Sequence, residues 1–335
     1  MWRETTKYER NRRIFEAEFE DWLPERILDF HVHVLNAGVV PAGETFSCGG
    51  HPIPKYDLDD LTPDLAELYP GREAAAVCFG LPDVRYDQRA NDAYVAANCD
   101  RKRFFPFRLL DPQRDTPETL EAALADKSFL GIKPYLNYVR KADPNDVEIP
   151  EMLPAWAMDI VDRHQCLVML HIPRKQRLAD PVNQRQIVTL CERYPRAKIV
   201  LAHVGRAYYL RNVAGSLEAL KDLPNLYFDL AMLNHWEVLE HLFQTVAAEK
   251  ILYGTDIPIA LAPGKSVEIN DQYTYVTPVP WTLSISDDHG KLMFTCFAYE
   301  ELRAIKKAAA RLTLDRAFLE GLFFENGMAL LRPLL

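Results

Sequence analysis

Eight short apolar runs, each ending in polar residues and followed by a helix-like stretch, constrain this chain most. They fall at residues 27–34, 74–80, 104–110, 129–136, 166–172, 198–204, 226–232 and 251–257. Most are continuously apolar at their centre, as strands covered on both faces are. Successive starts are mostly roughly 25–35 residues apart, the length of a βαβ unit. Eight such units predict an α/β fold of the (β/α)8 TIM barrel type. A doubly wound open sheet is the rival arrangement. Its dinucleotide-binding version needs a Gly-rich turn after the first strand, where this chain reads His31-Val32-His33-Val34.

The whole chain, 1–335, reads as one barrel domain. It has a helical extension at 1–25 and long insertions at 35–56, after the first strand, and 258–298, after the eighth. Barrel enzymes carry loops over the active face at those places, which suits lids or substrate-binding walls. A structural cap or a contact between copies is the plainer alternative. Thr62-Pro63 and Thr116-Pro117 each put a cap residue before a Pro at the first helical position. Asp180-Pro181 opens a segment reaching Tyr194-Pro195, and Asn234 with Glu237 has capping-box spacing. The last helices are expected at 299–312 and 314–331. Ile14, Phe15, Phe19 and Trp22 predict an N-terminal helix packed on its own barrel, with a homo-oligomer contact as the alternative.

Composition excludes some functions. Lys plus Arg number 39 and Asp plus Glu 48, a net charge of −9, which argues against a nucleic-acid partner. No apolar run approaches the roughly 18 residues of a membrane span, and no signal-peptide core opens the chain. Cys48, Cys78, Cys99, Cys166, Cys191 and Cys296 are scattered without a Cys-x-x-Cys pair. That pattern predicts reduced thiols in a cytoplasmic protein.

The chemistry lies where certain polar residues fall. The first run carries His31 and His33, the fifth ends in His171, the sixth in His203 and the eighth carries Asp256. One such histidine alone is an ordinary structural residue; four, with an Asp, at the same end of their strands form a constellation. Side chains at i and i+2 share a strand face, so His31 and His33 both point inward, about 7 Å apart. Closing the barrel makes the eighth strand a neighbour of the first and brings Asp256 beside the pair. His171 reaches the same point from across the axis. Three imidazoles and one carboxylate suit one divalent metal, Zn²⁺ first, with Mn²⁺ or Fe²⁺ as alternatives.

These residues carry a family resemblance. Asp29-Phe30-His31-Val32-His33, Gly131-Ile132-Lys133, Leu170-His171, Ala202-His203-Val204-Gly205 and Tyr253-Gly254-Thr255-Asp256-Ile257-Pro258 resemble the amidohydrolase superfamily. The branch most resembled is the amidohydrolase-related one, which includes aminocarboxymuconate-semialdehyde and resorcylate decarboxylases, sugar lactonases and dicarboxylate lactonases. The segment 323–331 is similar to that branch's last helix. The resemblance implies that His31, His33, His171 and Asp256 ligate the metal and that Asp256 also touches the attacking water. It implies that His203 is an acid/base or a ligand of a second metal. Lys133 would meet a substrate carboxylate or oxyanion; carbamylated, it would bridge two metals, the less favoured alternative. Arg206, Arg174 and Tyr135 are candidate substrate contacts, with Arg108 and Tyr138 near them.

The expected activity is therefore a metal-dependent hydrolase acting on a small anionic or polyhydroxylated lactone or amide. The alternative is a non-oxidative decarboxylase of a small carboxylic acid on the same scaffold. A non-catalytic binding protein is the third reading, and the costly buried polar cluster argues against it.

Overall fold

The computed structural model describes residues 8–335 apart from 271, 283 and 288; residues 1–7 of the expected extension lie outside the described residues. The barrel strands are β1 (Arg26–His33), β2 (Glu73–Phe79), β3 (Phe104–Leu110) and β4 (Gly131–Pro134). β5 (Leu167–Leu170), β6 (Lys198–Leu201), β7 (Leu226–Asp229) and β8 (Ile251–Leu252) follow. Each is parallel to the next in chain order. The ring closes through the irregular stretch after β8. Phe30 N–H donates to Tyr253 O (2.9 Å), Asp256 N–H to His31 O (2.8 Å) and His33 N–H to Ile257 O (2.7 Å). The fold is thus the (β/α)8 barrel and not an open sheet.

Alternation along each strand divides the side chains between two cores. Val77, Phe79, Phe105, Phe107, Met169 and Val200 fill the barrel interior, joined from below by Leu330 and Leu331 of the last helix. Ile132, Val168, Ile199 and Leu201 pack outward under the helices. The first strand breaks this alternation. Leu28 and Phe30 belong to the interior core, yet His31 and His33 also face inward, with rings 5.3 and 4.8 Å from Phe79. The pairing register with β2 slips between Asp29 and Val32. That bulge turns the successive residues Phe30 and His31 to the same side and aims both histidines at the axis.

Both insertions cover the mouth of the barrel. The first folds into a hairpin of Phe46–Cys48 and His51–Ile53. The second forms a small sheet of Lys265–Ile269, Gln272–Thr277 and Ser284–Ser286. They touch: a Cβ on Gly50 would come within 2.6 Å of Pro280 O. The N-terminal helix Tyr8–Glu18 leads Phe15 and Phe19 into the outer core, both buried, and Phe19 meets Tyr299 at 5.3 Å.

Some local expectations are corrected. The helix expected to start at Thr62-Pro63 runs Leu58–Leu68, capped by Asp57, with Pro63 inside it. Asp57 has already satisfied the Asp59 and Asp60 N–H groups, so the Thr cap has no role. Asn234 and Glu237 form no capping box. Asn234 instead bonds the second insertion, accepting from Ser266 N–H (2.9 Å) and donating to Phe297 O (3.2 Å). The final helix is divided into Arg316–Glu320, a π-helical turn Gly321–Glu325, and Asn326–Leu331. At that wide turn Leu322 O accepts from Tyr253 N–H (3.1 Å), so the turn serves the ring closure. Strands four to eight end several residues earlier than expected, because their polar tips leave the ladder at the mouth.

Gly254 lies at the closure, where a Cβ would sit 2.9 Å from the His31 Cβ and 3.3 Å from its backbone N. Gly254→Ala is expected to destabilise the fold by about 1–3 kcal/mol through overpacking. Urea unfolding measures this; an unchanged midpoint would contradict the account of the closure.

Candidate active site

The functional side chains converge because the strands end together. His31 and His33 come from β1, Lys133 from β4, and His171 from the residue after β5. His203 and Asp256 follow β6 and β8, and Asp229 is the last residue of β7. His31, Lys133 and Asp229 are fully buried, and His33 and His203 are 3% exposed. The rings of His31 and His203 lie 4.7 Å apart, those of His31 and His33 5.5 Å, and those of His171 and His203 5.5 Å. Among the described residues, ligand atoms of His31, His203 and Asp256 all lie within 4.8 Å of one another. His33 borders this group through Asp256. The tightest triple therefore contains His203, which the family resemblance made an acid/base or a ligand of a second metal.

Hydrogen bonds set which ring nitrogen faces the centre. His31 Nδ1 lies 3.0 Å from Asp229 Oδ2, His33 Nδ1 2.6 Å from Gly80 O and His203 Nδ1 2.8 Å from Ala231 O. Each neighbour is an acceptor, so each Nδ1 carries the proton and each Nε2 presents a lone pair. Burial holds all these imidazoles neutral. It drives His31 and His171 well below the ordinary histidine range, lowers His33, and brings His203 down to about 4. Orienting a ligand imidazole through its far nitrogen is how metal sites are tuned.

Asp256 completes the group. Its Oδ1 is 3.2 Å from His33 Nε2 and 3.5 Å from His31 Nε2. Burial alone would raise its carboxyl, but His33, His203 and Lys133, whenever they carry the positive charge, hold it below the usual range. Asp256 Oδ1 and His171 Nδ1 are both buried without a hydrogen-bond partner. A divalent cation answers to this set of imidazoles and a carboxylate, as Zn²⁺, Mn²⁺ or Fe²⁺ would. Lys133 lies among these groups and not at their rim. Its Nζ is 2.5 Å from His31 Nε2, 3.5 Å from His33 Nε2 and 3.8 Å above the Phe79 ring. Burial lowers its amine to about 7, so it is poised to lose the charge that would repel a cation.

Two carboxylates that the sequence reading passed over support the site. Asp229 grips His31 Nδ1 and also accepts from His203 N–H (2.8 Å) and Ala231 N–H (3.1 Å). Asp29 accepts from His31 N–H (3.0 Å), Thr255 N–H (2.9 Å) and the Thr255 hydroxyl (2.5 Å), binding β1 to the end of β8. A charged last residue on the apolar run Leu226–Asp229 was the available signal for Asp229.

The walls are shaped by backbone turns. His203, Val204, Gly205 and Arg206 all have positive φ, between 51° and 66°, forming a left-handed turn after β6. Such conformations cost about 1–3 kcal/mol each for non-glycine residues and cluster at functional sites. The turn points His203 at the centre, while Arg206 Nη1 donates to Ile172 O (3.1 Å). Tyr135 OH is 3.4 Å from His33 Nε2. Arg174 faces away from the group: its Nε is 2.9 Å from Asp180 Oδ1. Arg108 lies outside the barrel between Asp115 (2.5 Å) and Asp92 (3.4 Å).

The amidohydrolase family model matches residues 28–289. No curated protein matches the chain in sequence. Solved structures of the same fold include an amidohydrolase 2 from Bifidobacterium longum subsp. infantis, at 15% identity and TM-score 0.56 over 92% of this chain and 99% of that one. A probable 2-pyrone-4,6-dicarboxylic acid hydrolase from Acinetobacter baumannii with citric acid bound has 14% identity and TM-score 0.56, over 91% and 99%. A dihydroxybenzoic acid decarboxylase from Polaromonas sp. JS666, with bound manganese and the inhibitor 2-nitroresorcinol, has 13% identity and TM-score 0.53, over 92% and 97%.

Asp229→Asn tests the orienting role. The amide cannot serve His31 and two backbone N–H groups as a carboxylate does, and metal affinity is expected to fall roughly 10–100-fold. Competition with a chelator measures it; wild-type affinity in the variant would contradict the assignment.

Proposed function

The chain belongs to the amidohydrolase family, and from that premise we propose that it is a metal-dependent hydrolase of a small anionic lactone or amide. The observation that carries this reading is the Asp256 carboxylate, its Oδ1 buried and without a hydrogen-bond partner beside the Nε2 atoms of His31 and His33, and its pKa below the ordinary carboxylate range. An ionised carboxylate is a proton acceptor, which hydrolysis needs of the residue next to the attacking water. Protonation of carbon in decarboxylation needs a donor at that place instead.

In this reading His31, His33, His171 and Asp256 hold one divalent cation, with His203 close enough to join them. The bound cation supplies Lewis acidity, making a water acidic near neutral pH and polarising the scissile carbonyl. Asp256 accepts the proton of the attacking water and returns it to the leaving group. His203, its Nδ1–H anchored on Ala231 O, keeps an Nε2 lone pair at the centre, where it would add to the donor set and not to the stabilisation of the developing oxyanion. Lys133, as an amine next to His31, donates to that same oxygen when protonated. The apolar packing around these groups and the two insertions exclude bulk water. Zn²⁺ is the favoured cation, and a second cation bridged by carbamylated Lys133 is the less favoured form. Six buried free thiols suit the reducing cytoplasm, and no helix among the described residues is long and apolar enough to cross a membrane.

The test assays a panel of carboxylated lactones for acid release and for CO₂, in H₂O and D₂O. Hydrolysis consumes one water, and Asp256→Asn is expected to lower kcat by roughly 10²–10⁴-fold with the fold intact. Wild-type turnover in that variant would contradict the mechanism. Release of CO₂ with one solvent deuterium placed on carbon would replace hydrolysis by decarboxylation.

A further inference from the structure

The wall above the polar floor contains cations with no carboxylate to face. Arg177 follows β5 in a short 3₁₀ turn, Arg177–Ala179, and Arg206 ends the left-handed turn after β6. Among the described residues neither forms an ion pair, and Arg206 feels Arg177 as a neighbouring like charge. Arg206 is part-committed to Ile172 O. Arg177 Nη1 is buried and has no hydrogen-bond partner. Its guanidinium lies 5.0 Å from the Tyr208 ring and 5.6 Å from the Tyr273 ring.

Those tyrosines link the wall to the floor. Tyr208 stacks on Tyr273 at 4.3 Å and 16°, and its ring is 5.7 Å from the His203 ring. Tyr273 lies 5.0 Å from Tyr275, on the same strand of the second insertion. The Asp256 carboxylate reaches Tyr208 and Tyr275 electrostatically, but it belongs to the floor. The two turns pack together, since a Cβ on Gly205 would come within 2.7 Å of Leu178 Cδ1; like charges on adjoining half-buried turns repel, and a buried N–H left unbonded is costly. A bound anion relieves both at once, since a guanidinium fork matches a carboxylate in shape and charge.

We propose that Arg177 and Arg206, backed by Tyr208 and Tyr273, form a carboxylate subsite that holds the end of the substrate remote from the reacting bond. The substrate is then a small acid with a carboxylate several bonds from the group over His203 and Asp256. This deepens the proposed function and rests on it only for the place of the reacting group. It also transfers the arginine role expected of Arg174 to Arg177, because Arg174 already faces Asp180.

The test titrates the purified protein calorimetrically with benzene-1,3-dicarboxylate, benzoate and inorganic phosphate, alongside Arg177→Gln and Arg177→Lys. The wild type is expected to bind the dicarboxylate roughly 10-fold more tightly than benzoate, the effect of one charge-assisted hydrogen-bonded pair. Arg177→Gln removes that preference and leaves metal content unchanged; Arg177→Lys, which keeps the charge and loses the fork, falls between. No dicarboxylate binding by the wild type, a preference unaltered in Arg177→Gln, or equal losses for both acids would overturn the subsite. Phosphate binding with the same dependence on Arg177 would overturn its assignment to a carboxylate. Elemental analysis separates the two proposals. Metal-free protein with an Arg177-dependent preference sinks the hydrolase reading alone, and metal-loaded protein without the preference sinks the subsite alone.

Discussion

The closure of β8 onto β1 is the constraint on which the rest depends. Three backbone hydrogen bonds between residues 30–33 and 253–257 make the contact, and the Asp29 carboxylate fastens it by taking both the N–H and the hydroxyl of Thr255. Gly254 lets the two backbones approach. Without this closure Asp256 would be a loop residue far from the histidines. With it, the Asp256 carboxylate lies 3.2 Å from the imidazole of His33, far from it in sequence. The bulge in β1 does the complementary work, since only that slip turns His31 and His33 inward after Phe30 has already filled the interior.

A buried cluster of four imidazoles, an amine and a carboxylate is stable only if most of them give up charge. Burial holds the imidazoles neutral and lowers the Lys133 amine to about 7, while Asp256 alone is favoured as an anion. The group is therefore rich in lone pairs and poor in positive charge, the electrostatic state that receives a cation. Asp229 converts this from a crowd into a site, because one carboxylate fixes the His31 tautomer and the backbone of His203 together. Strain in the left-handed turn at His203–Arg206 is stored where that geometry is needed.

The barrel was legible because its strands are buried on both faces and recur at βαβ spacing. The convergence of His31, His33, His171, His203 and Asp256 was legible because each ends a strand, and topology alone then brings strand ends together. What the pattern hid was register and partnership. Inward-facing His31 and His33 follow from i, i+2 spacing, but the same parity assigns Phe30 outward, and no residue announces the bulge that reconciles them. Lys133 was expected to meet a substrate carboxylate or oxyanion, yet its long stem carries Nζ into the ligand group. Nothing in the sequence pairs Asp229 with His31, nearly 200 residues earlier. Arg174 and Arg177 are alike in sequence; only the Asp180 contact separates them. Asn234 had helix-cap spacing, but the second insertion, 30 residues on, claims its side chain.

X-ray absorption spectroscopy at the edge of the bound metal tests the central claim most directly. For the purified, metal-loaded protein the account predicts a shell of imidazole nitrogen and carboxylate oxygen at about 2.0–2.2 Å. In the His31→Ala/His33→Ala double variant the imidazole scattering should fall or the metal be lost. A bound metal with no imidazole in its shell, or one whose shell ignores the double variant, would contradict it.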